Sequence, residues 1–254
     1  TKIIATLGPS TSTFESIENL IKEGVDVLRI NFSHSTHKEA KFLIKSIREI
    51  NHSMSTNIAI LADLQGPKLR IGEVDKNTQL SDGDKVLIKT DKCFKGNEKK
   101  LYLNYQNLGE DIKKNEKILI DDGKIILKVL NINNKNEVLT EVIQGGELSS
   151  NKGFNLPNTF LSQPALTEKD IDDAIFSAKQ NVDWIALSFV RKGSDIKSLV
   201  KLLEKNTDHR IPVIAKIEKP DGVKNIDEIM KYASGIMVAR GYLGVEINAA
   251  EVPL

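Results

Sequence analysis

Arg29, Asn31 and Ser33 stand at alternate positions of "RINFSHS" (29–35), and Lys216 and Glu218 at alternate positions of "AKIE". Side chains two apart on a strand share a face, so the first set turns a guanidinium, an amide and a hydroxyl one way, and the second an ammonium and a carboxylate. Comparable residues sit at the ends of other apolar runs. Asp63 ends "NIAILADL" with Lys68 and Arg70 just beyond, Ser188 and Arg191 follow "DWIAL", and Arg240 ends "GIMVAR". Six cations (Arg29, Lys68, Arg70, Arg191, Lys216, Arg240) suit a multiply charged oxyanion, because guanidinium forks bind phosphate bidentately and lysine supplies a point charge. One such arginine alone is better explained by an ordinary ion pair. The Lys216 and Glu218 pair carries more weight, since burying both ions is costly unless partners or ligands compensate. Glu218 and Asp63 with further oxygens are candidate ligands for Mg²⁺. Phosphoryl transfer, catalysed by positioning and charge neutralisation, is the reaction class these groups suit.

Other constellations are weaker. His34 and His37 are three apart, but no acidic or cysteine partner has metal-site spacing, which favours surface or capping roles. No G-x-S-x-G, Walker A or G-x-G-x-x-G pattern occurs.

The elements that position these residues are short apolar runs, most followed by a helical pattern. "KIIATLG" precedes a helix with Phe14, Ile17, Leu20 and Ile21 on one face, Ser12 and Glu15 as a candidate capping box and Gly24 as a stop. "DVLRINFS" precedes a helix over 36–51 with Thr36 and Glu39 as its capping signature. "NIAILADL" has no helix directly after it. The alternation resumes with a helix over 167–181, "DWIALSFV", the helix "SDIKSLVKLLEK", "PVIAKIE", a helix around 226–232, and "GIMVAR". The near-continuous apolar character of "IAILADL" and "WIALSFV" predicts parallel strands covered on both faces. Between them lie turn pairs "SDGD" and "DDGK" and β-like runs "KVLIKT", "KILI" and "IILKVL", read as a small inserted β domain. Its lysine-rich stretch 95–100 reads as a solvated face. Polar groups after at least four strands favour a closed barrel over an open doubly wound sheet. A barrel of this type has eight strands and six are evident, so the natural chain is expected to continue beyond residue 254.

The sequence has 254 residues, 40% of them hydrophobic, enough for a sizeable core. Thirty-six basic and 35 acidic residues leave a formal charge of +1, which excludes a global field for nucleic acid or an acidic membrane. A lone Cys93, no spanning segment and no signal-peptide pattern make the cytoplasm the expected compartment.

The ordered motifs "TKIIATLGPS", "RINFSHS", "LADLQGPKLRIG", "LTEKD", "ALSFVR", "IAKIEKPDGV" and "GIMVARG" resemble the pyruvate kinase family over nearly the whole length. The resemblance implies an α/β fold, a (β/α)₈ TIM barrel represented by about six of its eight units, with an inserted small all-β barrel domain. It divides the chain into 1–66 (first part of the barrel), 67–164 (the inserted lid) and 165–254 (the barrel continued). It implies transfer of a phosphoryl group from phosphoenolpyruvate to ADP, giving pyruvate and ATP, with Mg²⁺ or Mn²⁺, in a homotetramer of the full-length protein. By matching position, Lys216 stabilises the transferring phosphoryl group and the enolate, and Arg29 binds substrate. Asn31, His34, Arg70, Lys169 and Gly241 lie near substrate or nucleotide, and Glu218 is a divalent-metal ligand. Asn31, Ser33, Asp63 and the carbonyl of Leu64 match a monovalent-cation site.

Two departures stand out. Potassium-requiring members carry an acid where this chain has Lys68, whose ammonium supplies the positive charge, so K⁺ is not expected to be required. The family's "ARGDLGVE" reads "ARGYLGVE" here, so Tyr242 replaces the second carboxylate ligand of the divalent metal. A phenol with a pKa near 10 is neutral at pH 7 and a poor ligand for a hard cation. A weakened copy is one explanation, and a one-base error converting an Asp codon to Tyr is another. Three functions are therefore weighed: the kinase, a non-catalytic phospholigand-binding or regulatory relative, and another enolate-forming barrel. The inserted domain and "LADLQGPKLR" disfavour the third.

Overall fold

The computed structural model describes residues 1–253. In chain order it begins with β1 (Ile4–Thr6), α1 (Phe14–Lys22), β2 (Val27–Asn31), α2 (His37–Met54) and β3 (Ala59–Asp63). A β-rich stretch follows: β4 (Thr78–Leu80), β5 (Lys85–Lys89), β6 (Lys100–Tyr102), α3 (Leu108–Asp111), β7 (Lys117–Ile120), β8 (Ile125–Asn134), β9 (Glu137–Gln144), β10 (Gly146–Leu148) and β11 (Phe154–Asn155). Then come α4 (Glu168–Lys179), β12 (Trp184–Leu187), α5 (Gly193–Glu204), β13 (Val213–Ile217), α6 (Pro220–Lys224), α7 (Ile226–Met230), β14 (Gly235–Val238) and α8 (Arg240–Glu246). The chain forms two compact units, one of residues 1–67 and 164–239, the other of residues 68–163 together with the segment from Arg240 onward.

The first unit is built on one six-stranded sheet in the order β1-β2-β3-β12-β13-β14, every pair parallel. Each strand lies beside its predecessor in this unit, and the order never reverses. A doubly wound sheet reverses at its switch point, whereas sequential order curls toward a barrel. Strands β3 and β12 are buried on both faces, as their unbroken apolar runs require. The outer helices present stripes to this sheet: Ala40, Leu43, Ile44, Ile47 and Ile50 of α2 are buried, as are Ile17 and Ile21 of α1. Phe14 does not join the α1 stripe and lies exposed.

Helix starts follow local polar chemistry. Thr36 and Glu39 cap α2 reciprocally, and Thr167 and Asp170 do the same for α4. For α1 the box falls one residue later than Ser12 and Glu15: Thr13 Oγ1 accepts the Ser16 N–H and Ser16 Oγ accepts the Thr13 N–H. The hydroxyl pair satisfies the same two orphan donors, leaving Ser12 to bond the Pro9 carbonyl. The helix expected around 226–232 is preceded by a separate turn, α6, which starts on Pro220 at a position where a missing N–H costs nothing.

The second unit carries a six-stranded sheet, β11-β7-β8-β9-β5-β6, antiparallel except for β5 and β6, and a small β10-β4 pair. Residues 121–124 join β7 to β8 in a tight turn closed by Lys124 N–H on the Asp121 carbonyl, with Asp122 and Gly123 both at positive φ. This is the hairpin turn for which Asp-Gly is suited. Its core includes Val86, Ile88, Leu101, Ile118, Leu127, Val129 and Val138.

Candidate active site

In the first unit, Asn31 of β2 and Ala186 of β12 are both in register with Asp63, so the carboxyl ends of the central strands meet around one carboxylate. Asp63 is 1% exposed and takes two cations from different strands. Arg29 Nε donates to Asp63 Oδ2 at 2.7 Å, Arg29 Nη2 donates to the same oxygen, and Arg29 Nη1 reaches Thr6 Oγ1 on β1 at 2.7 Å. Lys216 Nζ on β13 lies 3.0 and 3.1 Å from the two Asp63 oxygens, 2.9 Å from Ser188 Oγ and 3.5 Å from Glu218 Oε1. Lys216 and Arg29 therefore converge on one buried anchor.

Glu218, just past the end of β13, is also 1% exposed, and its Oε2 accepts the Phe189 N–H at 2.7 Å. Burial pushes its carboxyl above the usual range, while the Lys216 ammonium and the Phe189 N–H pull the other way. The cluster of two carboxylates and two cations is charge-balanced, which limits the desolvation cost of each.

A second group forms at the end of β2. Lys169 on α4 donates to the Phe32 carbonyl at 2.8 Å and pairs with Asp173. Asp173, buried, also lies 2.8 Å from His37 Nε2, and the His37 ring stacks on Phe176 with centroids 4.2 Å apart. His34 is exposed. Of the two histidines, His37 is thus the one tied into the structure, through a carboxylate on a distant helix that sequence spacing does not reveal.

The remaining predicted residues are placed as follows. Asn31 Oδ1 accepts the Ser33 N–H at 3.0 Å, and the Leu64 carbonyl accepts the Ser188 hydroxyl at 2.7 Å. Arg191, just before α5, places Nε 3.9 Å from Asp195 and its backbone N–H on Asp195 Oδ2 at 3.0 Å. Within the second unit, Arg70 donates through its side chain to the Asn151 carbonyl and through its N–H to Asn104 Oδ1 at 2.7 Å. The Lys68 carbonyl accepts from Asn104 Nδ2 at 3.1 Å. Gly241 and Tyr242 lie on α8, with Tyr242 about half exposed. Sequence reading missed Thr6, His37 and Asp173 as site residues and gave Ser188 no role; the hydroxyls become legible only once their strand neighbours are known.

Asp63, anticipated beside Glu218 as an Mg²⁺ ligand, is here the common anchor of two cations. Among the described residues, no group of three His, Cys, Asp or Glu side chains is disposed to hold a metal ion. Glu218 lies beside the Lys216 ammonium, and in the sequence Tyr242 stands where the resemblance places a second carboxylate.

The family model "Pyruvate kinase, barrel domain" matches residues 1–254. The chain is 42% identical to the pyruvate kinase of Corynebacterium glutamicum over 255 residues, covering 100% of this chain and 53% of that protein. It is 41% identical to the pyruvate kinase of Geobacillus stearothermophilus, covering 100% of this chain and 43% of that protein. A pyruvate kinase from Mycobacterium intracellulare is 41% identical, with 100% and 53% covered. The chain thus spans about half the length of the curated relatives it matches. Its fold is a partial (β/α)₈ barrel with an inserted β domain, and the chain belongs to the pyruvate kinase family.

Proposed function

We propose that the full-length protein containing this chain transfers a phosphoryl group from phosphoenolpyruvate to ADP, yielding pyruvate and ATP, in the cytoplasm and as a homotetramer. The observation that carries this reading is the Lys216–Asp63–Arg29 cluster at the carboxyl ends of parallel strands. Lys216 neutralises charge on the phosphoryl group in flight and on the enolate oxygen left behind, and Arg29 holds the phosphate. Lys169, His34, Arg70, Asn31 and Gly241 contact substrate or nucleotide. A lactate-dehydrogenase-coupled assay of the full-length protein tests this. Lys216→Met should lower turnover at least about 100-fold, the scale of losing a preorganised charge donor. A wild-type rate no higher than that of the variant refutes the reading.

K⁺ is not required on this reading. The oxygens of Asn31, Asp63 and Leu64 accept protein donors, and the resemblance assigns the charge of the missing cation to the Lys68 ammonium. Replacing Na⁺ with K⁺ should leave the rate unchanged, and a severalfold rise contradicts this.

The second reading, a non-catalytic phospholigand-binding or regulatory relative, is favoured by one observation: Tyr242 in place of a metal-binding carboxylate. The two separate on one substitution. Tyr242→Asp should raise turnover at limiting Mg²⁺ about 10- to 100-fold, the range in which groups supporting a metal act. An unchanged rate and unchanged Mg²⁺ dependence would mean that the missing carboxylate is not the limiting defect.

A further inference from the structure

Between β12 and α5 the chain makes a turn whose second residue, Phe189, has φ of +54°, a region that a bulky side chain occupies only when its surroundings enforce it. This turn sends two adjacent groups toward the same neighbour strand. Ser188 Oγ lies 2.9 Å from Lys216 Nζ, and the Phe189 N–H lies 2.7 Å from Glu218 Oε2. We propose that the Ser188–Phe189 turn is the positioning element for Lys216 of β13 and for Glu218 just past its end, with Ser188 the positioning residue for the Lys216 ammonium. The functional meaning of this proposal rests on the role given to Lys216 above.

The hydrogen-bond polarity is determined. The Leu64 carbonyl can only accept, so the one Ser188 hydroxyl proton is donated there, at 2.7 Å, and the Ser188 oxygen faces Lys216 as an acceptor. An ammonium has three N–H vectors in tetrahedral array. Both Asp63 oxygens at 3.0 and 3.1 Å, Ser188 Oγ at 2.9 Å and Glu218 Oε1 at 3.5 Å surround it, so acceptors on three side chains hold the ammonium in place. Ser188 is itself 2% exposed, so water does not compete for these bonds. The turn is braced from behind by Gly66, at φ of +69°. A side chain there would place its Cβ 2.8 Å from both Ser188 Cβ and the Phe189 ring. The Gly66 N–H is in turn held by the buried Asp170 carboxylate of α4 at 2.9 Å. Strained turn, glycine brace and helix carboxylate together make a rigid backing for the lysine.

The test uses the full-length protein with Ser188→Ala and Ser188→Cys, following kcat, KM for phosphoenolpyruvate, thermal midpoint and the crystallographic position of Lys216. Ser188→Ala should lower kcat about 10- to 100-fold, as misplacement of a reacting group by a fraction of an ångström to an ångström does, with KM and thermal midpoint little changed. Its Lys216 ammonium should leave the place beside Asp63. Ser188→Cys, with a weakly accepting sulfur, should fall between wild type and Ser188→Ala. If the wild type has no turnover, the proposed function fails, and the position of Lys216 alone then decides the positioning role. An unmoved Lys216 in Ser188→Ala, whether kcat is retained or lost along with thermal stability, overturns the proposal.

Discussion

The two sheets of this chain treat charge in opposite ways. At the carboxyl ends of the parallel sheet, Asp63, Glu218, Lys216 and Arg29 share one cluster from which water is largely excluded. On the antiparallel sheet and its turns, charges pair nearer the surface, as in Lys89 with Glu137, Lys135 with Glu110, and Asp121 with both Lys124 and Lys152. Topology explains part of the contrast. Strands covered on both faces leave only their ends for polar groups, whereas β5 alternates exposed and buried positions and can hold its lysines outward. Energetics explains the rest. Exposed pairs cost little to form and contribute little, while burying ions is unfavourable unless every one is compensated. A cluster of the buried kind is therefore poor evidence of selection for stability, and good evidence that a charged ligand belongs there.

The largest test of this contrast is Asp63→Ala. It leaves two cations, Lys216 and Arg29, without their common counter-charge, and breaking a buried pair from one side costs about 3–5 kcal/mol. The measurement is the denaturant midpoint of the full-length protein. Adding Lys216→Met should recover part of the loss, because the two sites are in direct contact and their effects should not add. A loss below about 1 kcal/mol would place the cluster with surface pairs and erase the distinction.

How much of this was legible beforehand follows the same division. The six barrel strands were readable because each is an apolar run, and Asp63, Lys216 and Glu218 because each stands at or next to the end of one, with Arg29 two residues before the end of β2. Cap positions were readable where a hydroxyl and an acid stand three apart, as at Thr36 and Glu39. They were misplaced by one residue in "STFES", where overlapping pairs compete and the Thr13–Ser16 hydroxyl pair wins. What could not be read is partner choice. Arg29 with Asp63 and Lys216 with Ser188 depend on register between strands 34 and 28 residues apart in sequence, and His37 with Asp173 spans 136 residues. The pairing of Arg191 with Asp195, four residues on, is local.

A smaller effect is expected in the second unit, where Tyr105 is its one deeply buried phenol among the core side chains. The Tyr105 hydroxyl donates to Asp111 and accepts the Ser162 N–H at 3.2 Å. Burial first, and the Asp111 carboxylate next, push its pKa up to about 12. The folded state therefore keeps a proton that the unfolded chain releases near pH 10, so stability is fully present below pH 10 and declines as pH rises from about 10 to 12. Tyr105→Phe should cost about 1 kcal/mol at neutral pH through the lost hydrogen bond. It should also flatten the decline above pH 10 relative to wild type. Parallel curves for the two proteins would show that this phenol is solvated.

The smallest effect should come from Lys95→Ala. Lys95 Nζ lies 2.9 Å from Asp75 Oδ1, slightly shorter than the 3.0 Å between Lys216 Nζ and Asp63 Oδ1 in the buried cluster, yet the Lys95 and Asp75 side chains are 57% and 53% exposed. The hydrogen bond to Asp75 raises the Lys95 pKa, so the pairing favours the charged ammonium. In water, however, the attraction is screened and is offset by the entropy lost in holding a flexible lysine in one geometry. Length of contact and worth of contact are therefore separable, and Lys95→Ala isolates the difference. Its thermal midpoint should match wild type at both low and high salt. A loss on the scale of Asp63→Ala would mean that geometry rather than burial sets the value of these pairs, and the inference from a buried cluster to a ligand site would lose its physical basis.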